Sequence, residues 1–355
     1  MLANLCYVAL RQTGVDLPTP NPRACAITPW APRRHCARKG ETDRFRTQTA
    51  MSTLDTTEAL VGQRTDALEA FLHHVQCPSC GARVSKTRTS LDCAECARSF
   101  EIVDGVPSML LEENDAMRAE LSWHEHSLDG RSAGHRLAHQ AAREAIARDL
   151  RETAHDRDPR ILSVGTGTGN ELPLLASVSS RIVMLDLSIL ALQRLREKWP
   201  YLAFHADARR LPFADGSFDI LVASGLLHHI VGYDDLATPL SEWRRVLSDG
   251  GSLIILEPNS LYPVQWIMNP VNRVMQIVRP GWRGLVPHER PLSPWTLTRS
   301  FQKAGFSRVQ TRAATFLHNR MPVLLGRTLR GLERPLLDSR PWRWFGWWVV
   351  VRGAR

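Results

Sequence analysis

Apolar and polar positions change rhythm several times along this chain. From Arg160 onward, short β-branched runs at Arg160–Val164, Arg181–Leu185, Tyr201–His205, Phe218–Ala223 and Ser252–Leu256 read as strands. Between them, Leu172–Val178, Ile189–Lys198 and Leu236–Leu247 carry helical spacing. Strands alternating with helices predict a mostly parallel sheet covered on both faces, a doubly wound α/β fold. Upstream, Leu137, Ala141, Ile146 and Leu150 fall near helical spacing in an Ala-, Arg-, Glu- and Leu-rich stretch, so 112–157 is expected to be a helical connector. Residues 51–76 are expected to be linker or helix. Residues 1–50 combine Pro18, Pro20, Pro22, Pro29 and Pro32 with basic residues and no apolar period. Disorder, or an extension foreign to the mature protein, is expected there. Met51 opens a stretch that reads more like an ordinary start.

A length of 355 residues implies more than one folding unit. No apolar run reaches the roughly 18 residues of a membrane-crossing helix, and Met1–Leu10 lacks the basic flank of an export signal. The expected location is the cytoplasm, peripheral to a membrane if the C-terminal part meets lipid. Charge is uneven: residues 261–355 hold sixteen Lys/Arg against three Asp/Glu, and residues 1–50 hold eight against three. Because the whole chain is +9, the middle is acidic. Seven of the eleven tryptophans also fall after residue 260. A basic, Trp-rich end suits an anionic surface, membrane or RNA; alternatively, its arginines solvate helix faces and Trp295, Trp347 and Trp348 pack internally. No DNA partner is expected.

Cys77-Pro-Ser-Cys80 and Cys93-Ala-Glu-Cys96 form two C-x-x-C knuckles separated by twelve residues. Two such turns brought together by a hairpin supply the tetrahedral four-sulfur shell that Zn²⁺ prefers, and a closed four-Cys shell makes that zinc structural. A redox dithiol pair and an iron–sulfur cluster are the competing readings. The following stretch, Ser99-Phe-Glu-Ile-Val-Asp-Gly-Val-Pro107, resembles the small zinc-ribbon family of methyltransferase-activating proteins. The resemblance spans about forty residues, 77–111, and implies a stabilising, partner-docking platform fused to its enzyme.

Ile161-Leu-Ser-Val-Gly165-Thr166-Gly167-Thr168-Gly169 is a buried strand running into a glycine-rich turn and then a helix. Such a turn lets the backbone approach a ligand closely. A dinucleotide fold would want its third glycine at Asn170, so the pattern departs from a pyrophosphate loop. Asp186 ends the next strand, where an acid can accept both ribose hydroxyls of either a nicotinamide dinucleotide or adenosylmethionine. Asp207 follows the third strand, placed to meet an adenine amine.

With Leu211-Pro-Phe-Ala-Asp-Gly-Ser-Phe-Asp219, Leu227-His228-His229-Ile230 and Gly250-Gly-Ser-Leu-Ile-Ile-Leu-Glu-Pro258, these motifs resemble the class I S-adenosylmethionine-dependent methyltransferases, in their small-molecule branch. The match runs over 158–258 in the family's order and spacing. It implies a Rossmann-like, mostly parallel seven-stranded sheet with an antiparallel last strand, the two further strands being placed at Arg308–Ala313 and Trp347–Val351. It also implies that Gly165, Thr166, Gly167, Gly169, Asp186, Leu187, Asp207, Ala208 and Ser224 bind S-adenosylmethionine. One departure stands out: the family carries an acid two residues before the first glycine, where this chain has Ser163.

Methyl transfer from a sulfonium is an in-line displacement, so alignment of the acceptor is the main task; a hydroxyl acceptor also needs a base. His228 and His229, just after the fourth strand, are the candidates for that role, against a reading in which they cap the next helix and pack beside the cofactor. Attack on a pyrimidine ring through a thiolate is disfavoured because no cysteine follows Cys96. Glu257-Pro-Asn259 is expected to shape the acceptor pocket, and 259–292, with Trp266 and Trp282, to form its lid. The leading expectation is a methyltransferase acting on oxygen, nitrogen or carbon of a small-molecule, lipid-linked or glycan acceptor. A ribosomal or transfer RNA methyltransferase, and a non-catalytic cofactor-binding or scaffold protein, are the alternatives.

Overall fold

The computed structural model describes residues 67–112, 133–154, 158–231, 235–278, 290–319, 321–337, 339 and 342–355. The expectations for residues 1–50 and for Trp282 lie outside the described residues.

A small antiparallel sheet comes first: β1 (Ser85–Lys86), β2 (Ser90–Asp92), β3 (Ser99–Val103) and β4 (Val106–Pro107). The main sheet has seven strands: β5 (Ile161–Val164), β6 (Ile182–Asp186), β7 (Leu202–His205), β8 (Phe218–Ser224), β9 (Leu247–Pro258), β10 (Ser307–Thr315) and β11 (Trp348–Ala354). Their spatial order is β10-β11-β9-β8-β5-β6-β7, and β11 alone runs opposite to the other six strands. The two outermost C-terminal strands thus fall where the sequence placed them, each a few residues longer. β9 begins at Leu247, earlier than the apolar run, because Gly250 at φ +76° lets a turn join the strand.

All four residues of β5 are buried, as expected for a central strand covered on both faces. Leu162, Val164, Val183, Leu185, Leu221 and Leu253 point to one layer; Ile161, Ile182, Met184, Ile220 and Ile254 point to the other. The second layer is covered by α1 (Ala133–Ala154), α2 (Leu172–Ala176) and α3 (Ile189–Arg196), the last started by Ser188, whose Oγ accepts the Ala191 N–H at 3.2 Å. α1 is no free connector. Ala138, Ala142, Ile146 and Leu150 are buried against the sheet, and Asp149 pairs with Arg312 at 3.0 Å.

The first layer is covered by α5 (Ala237–Val246) and α7 (Pro294–Lys303), and by the small sheet itself. A short turn, α4 (Leu227–Ile230), follows β8; α6 (Pro263–Val278) follows β9, and α8 (Val323–Leu337) precedes β11. Residues 67–71 are helical and insert Phe71, 0% exposed, among Phe204, Phe213 and Phe218, with ring centroids 5.9–6.2 Å away. Backbone bonds secure the junction: Gln76 N–H to Pro212 O (3.0 Å), Ala214 N–H to His74 O (2.8 Å) and Met109 N–H to His205 O (2.7 Å). The last of these runs along β7, covering a sheet edge that would otherwise present unpaired backbone. One apolar core therefore unites the small sheet and the α/β unit.

Candidate active site and cysteine centre

The parallel order β8-β5-β6-β7 brings the carboxyl ends of four strands side by side, and with them Ser224, Gly165, Asp186 and Asp207. Ligands of open α/β sheets bind along this edge. The turn after β5 holds Gly165, Gly167 and Gly169 at φ +65°, +52° and +72°. A Cβ on Gly169 would meet Leu195 at 2.5 Å, and one on Gly165 would meet Leu226 at 3.0 Å. Above Gly167 the space is open, its nearest neighbour being 3.9 Å away. Two glycines therefore serve packing, while the middle one leaves bare backbone for a ligand.

Asp186 fixes this turn. Its Oδ2 accepts the Gly167 N–H at 2.6 Å and its Oδ1 the Ser188 N–H at 2.8 Å. Leu187, the next residue, is held through its carbonyl, which accepts from His205 Nε2 at 3.0 Å. Because a carbonyl only accepts, His205 Nε2 carries the proton, and Nδ1 accepts from Ser108 Oγ at 2.8 Å. The segment after β4 thus reaches the turn after β6 through two hydrogen bonds, a link invisible in the sequence.

Asp207 is gripped by Arg209, whose backbone N–H and Nη2 lie 2.8 Å from the carboxylate. Arg209 escaped sequence reasoning, although its spacing two residues from the acid was visible. The Ala208 carbonyl accepts from Trp243 Nε1 at 2.9 Å, which pins the same turn. Ser163 is buried, and its Oγ lies 3.3 Å from Thr166 Oγ1, so a neutral hydroxyl pair sits under the loop.

At the end of β8, Gly225 (φ +65°) turns the chain toward His228. Glu257, on β9 and 0% exposed, accepts the backbone N–H groups of Leu226 (2.9 Å) and Leu227 (2.7 Å) through Oε1. Its Oε2 lies 2.8 Å from His228 Nδ1. Of Glu257-Pro258-Asn259, expected to shape the acceptor pocket, two residues lie beneath the surface. Glu257 and Asn259 are wholly buried, and Asn259 Nδ2 donates to the carbonyls of Trp344 and Gly346 at 2.8 Å. A carboxylate accepts only, so His228 Nδ1 donates to Glu257. His229 is equally buried and lies against His228, ring centroids 3.9 Å apart and planes tilted by 40°. Trp295, expected to pack inside, is instead half exposed and lies 6.0 Å from Trp344.

The four cysteines of the knuckles converge, their sulfurs all within 4.8 Å of one another. Cys77 and Cys96 stand 3.6 Å apart, Cys80 and Cys93 3.5 Å. Zn–S bonds of about 2.3 Å in a tetrahedron require sulfur–sulfur edges of roughly 3.8 Å, so the donor set fits such an ion. The turn of the first knuckle closes by Gly81 N–H to Cys77 O at 2.8 Å.

Residues 162–255 match the family model described as a methyltransferase domain. A demethylmenaquinone methyltransferase of Clavibacter sepedonicus is 31% identical over 177 residues, covering 44% of this chain and 69% of that protein. The chain belongs to the class I S-adenosylmethionine-dependent methyltransferases. A second methyltransferase, the demethylmenaquinone methyltransferase of Chlorobaculum parvum, is 36% identical over 116 residues, 32% of this chain and 47% of its own length. This methyltransferase thus spans about half the length of several curated relatives it matches. Among solved structures, an S-adenosylmethionine-dependent methyltransferase of Thermotoga maritima aligns with a TM-score of 0.46 at 20% identity, over 67% of this chain and 97% of that one. The methyltransferase carries a mixed seven-stranded sheet, and the bare backbone at Gly167 beside Asp186 fits the family's adenosylmethionine.

Proposed function

We propose that this methyltransferase moves the methyl group of S-adenosylmethionine to a small, lipid-linked aromatic acceptor of the quinol type, with a zinc-stabilised ribbon bracing the cofactor site. The observation that carries this reading is the buried Glu257–His228 pair beside the glycine turn. Bound cofactor supplies an activated methyl on a sulfonium. The chain's own residues do the rest. Gly167 admits the ligand, Asp186 accepts from its ribose, and Asp207 with Arg209 frames the adenine end. Leu226, packed over Gly165, connects this cradle to His228 two residues later. His228, oriented by Glu257, accepts the proton that a quinol hydroxyl releases as its ring becomes nucleophilic. The relatives named demethylmenaquinone methyltransferase support an acceptor of this class.

Four sulfurs at tetrahedral spacing support a structural zinc in the ribbon. The test is direct: the purified full chain is incubated with labelled S-adenosylmethionine and a prenylated naphthoquinol in detergent. Label entering the organic phase is the expected result. Tight cofactor binding without transfer to any prenylated quinol would remove the acceptor assignment, and no cofactor binding would remove the enzyme reading altogether.

A further inference from the structure

Among the described residues, two apolar helices leave the catalytic edge without a partner for their outer faces. β10 runs parallel to β9, because β11 is antiparallel to both, so the two strands end at the edge that carries Asp186 and His228. Tyr262, just before α6, donates its hydroxyl to Phe316 O at 2.9 Å, one residue past β10. Glu333 on α8 accepts from Thr315 Oγ1 at 3.0 Å and from the Phe316 N–H at 2.9 Å. Both helices are therefore moored to the same strand end.

Both helices expose large apolar side chains. In α6, Trp266, Val274, Ile277 and Val278 are 57–82% exposed. In α8, Gly326, Glu333 and Leu337 face inward, and Leu324 (80%) and Leu332 (62%) face solvent. Apolar patches this concentrated mark a contact surface.

Charge identifies what covers it. α6 contains no acidic residue, and the single one of α8, Glu333, is buried. Arg299 and Arg327 are exposed on α7 and α8, and Arg343 lies over the Trp344 ring, 4.7 Å from its centroid. Trp295 and Trp342, each half exposed, complete a set of indoles and guanidinium groups. Indoles at a headgroup boundary and arginines on phosphate are how interfacial helices hold a membrane. A second copy of the chain would set this basic surface against itself. We propose that α6 and α8 form a docking face for an anionic phospholipid bilayer, presenting the catalytic edge to an acceptor dissolved in that bilayer. This deepens the quinol-type reading and rests on it for the acceptor alone; the docking is measured without turnover.

The full chain is floated with phosphatidylcholine vesicles lacking or containing phosphatidylglycerol. Binding is expected only with phosphatidylglycerol, weakening in high salt. The double variants Val274→Asp/Ile277→Asp and Leu324→Asp/Leu332→Asp should each lower it about tenfold or more, with cofactor affinity and thermal midpoint unchanged. Reversal at Arg299→Glu/Arg327→Glu, which leaves the apolar face intact, should lower it several-fold and provides a second test if an aspartate variant misfolds. Absence of binding by the wild type, or binding retained by all three variants, overturns the proposal. So does finding that the variants dissociate a dimer or release RNA while vesicles are never bound. Cofactor titration is read separately, so a failure of the enzyme reading is distinguishable from a failure of docking.

Discussion

In the turn after β8, one imidazole is oriented by a wholly buried carboxylate. Glu257 receives two short backbone N–H bonds and the His228 ring, so its removal disturbs both the turn and the base. His228→Ala is expected to lower kcat about 10²-fold or more while cofactor affinity stays within a small factor. Glu257→Gln, which can present its amide to the ring, should act more on kcat and its pH profile than on KM. Turnover measured across pH checks both. A second residue acts at a distance: Ser108→Ala removes the donor to His205 and should weaken cofactor affinity severalfold without altering the acceptor KM, as calorimetry can show. The glycines and Asp186 were legible in the sequence, because a positive φ and a strand-ending acid are local demands. The contact of Glu257 with His228 was not legible, because His228 lies on the adjacent strand's turn and only sheet order reveals that. Ser108 left no signal at all.

Among the elements, the segment 67–76 carries more weight than its composition suggests. Phe71 fills a space between three phenylalanines of the sheet layer, so Phe71→Ala should cost about 3–5 kcal/mol, measurable by urea unfolding. Three residues on, His74 lies 3.2 Å from Ser217 Oγ. Burial, then His73, Arg160 and Arg181, lower its pKa from 6.5 to about 4. Between those values the unfolded chain binds more protons than the folded one, so stability rises with pH across the window and is lost as pH falls through it. Thermal midpoints taken between about pH 7 and pH 5 should fall more steeply in the wild type than in His74→Gln. The core strands were readable because strands buried on both faces are continuous apolar runs. The roles of α1, α6 and α8 were not, since an apolar period announces a face without saying what meets it.

For the whole molecule, the shared core means that the ribbon and the α/β unit unfold together. Chelation of the proposed zinc, or Cys93→Ser, is expected to lower the single thermal midpoint by roughly 5–10 °C rather than melt a separate ribbon. Calorimetry distinguishes the two: a second, independent transition would contradict it. Metal analysis should find about one zinc per chain.

The reach of the N-terminal junction also sets a timetable for biosynthesis. His74 and Ser217 stand 143 positions apart, so a nascent chain emerging from the ribosome must wait through most of the sheet before its first aromatic plug finds a socket. Until then Phe71 and Leu68 stay uncovered, an invitation to chaperones, and a ribbon made without the rest should clump rather than fold.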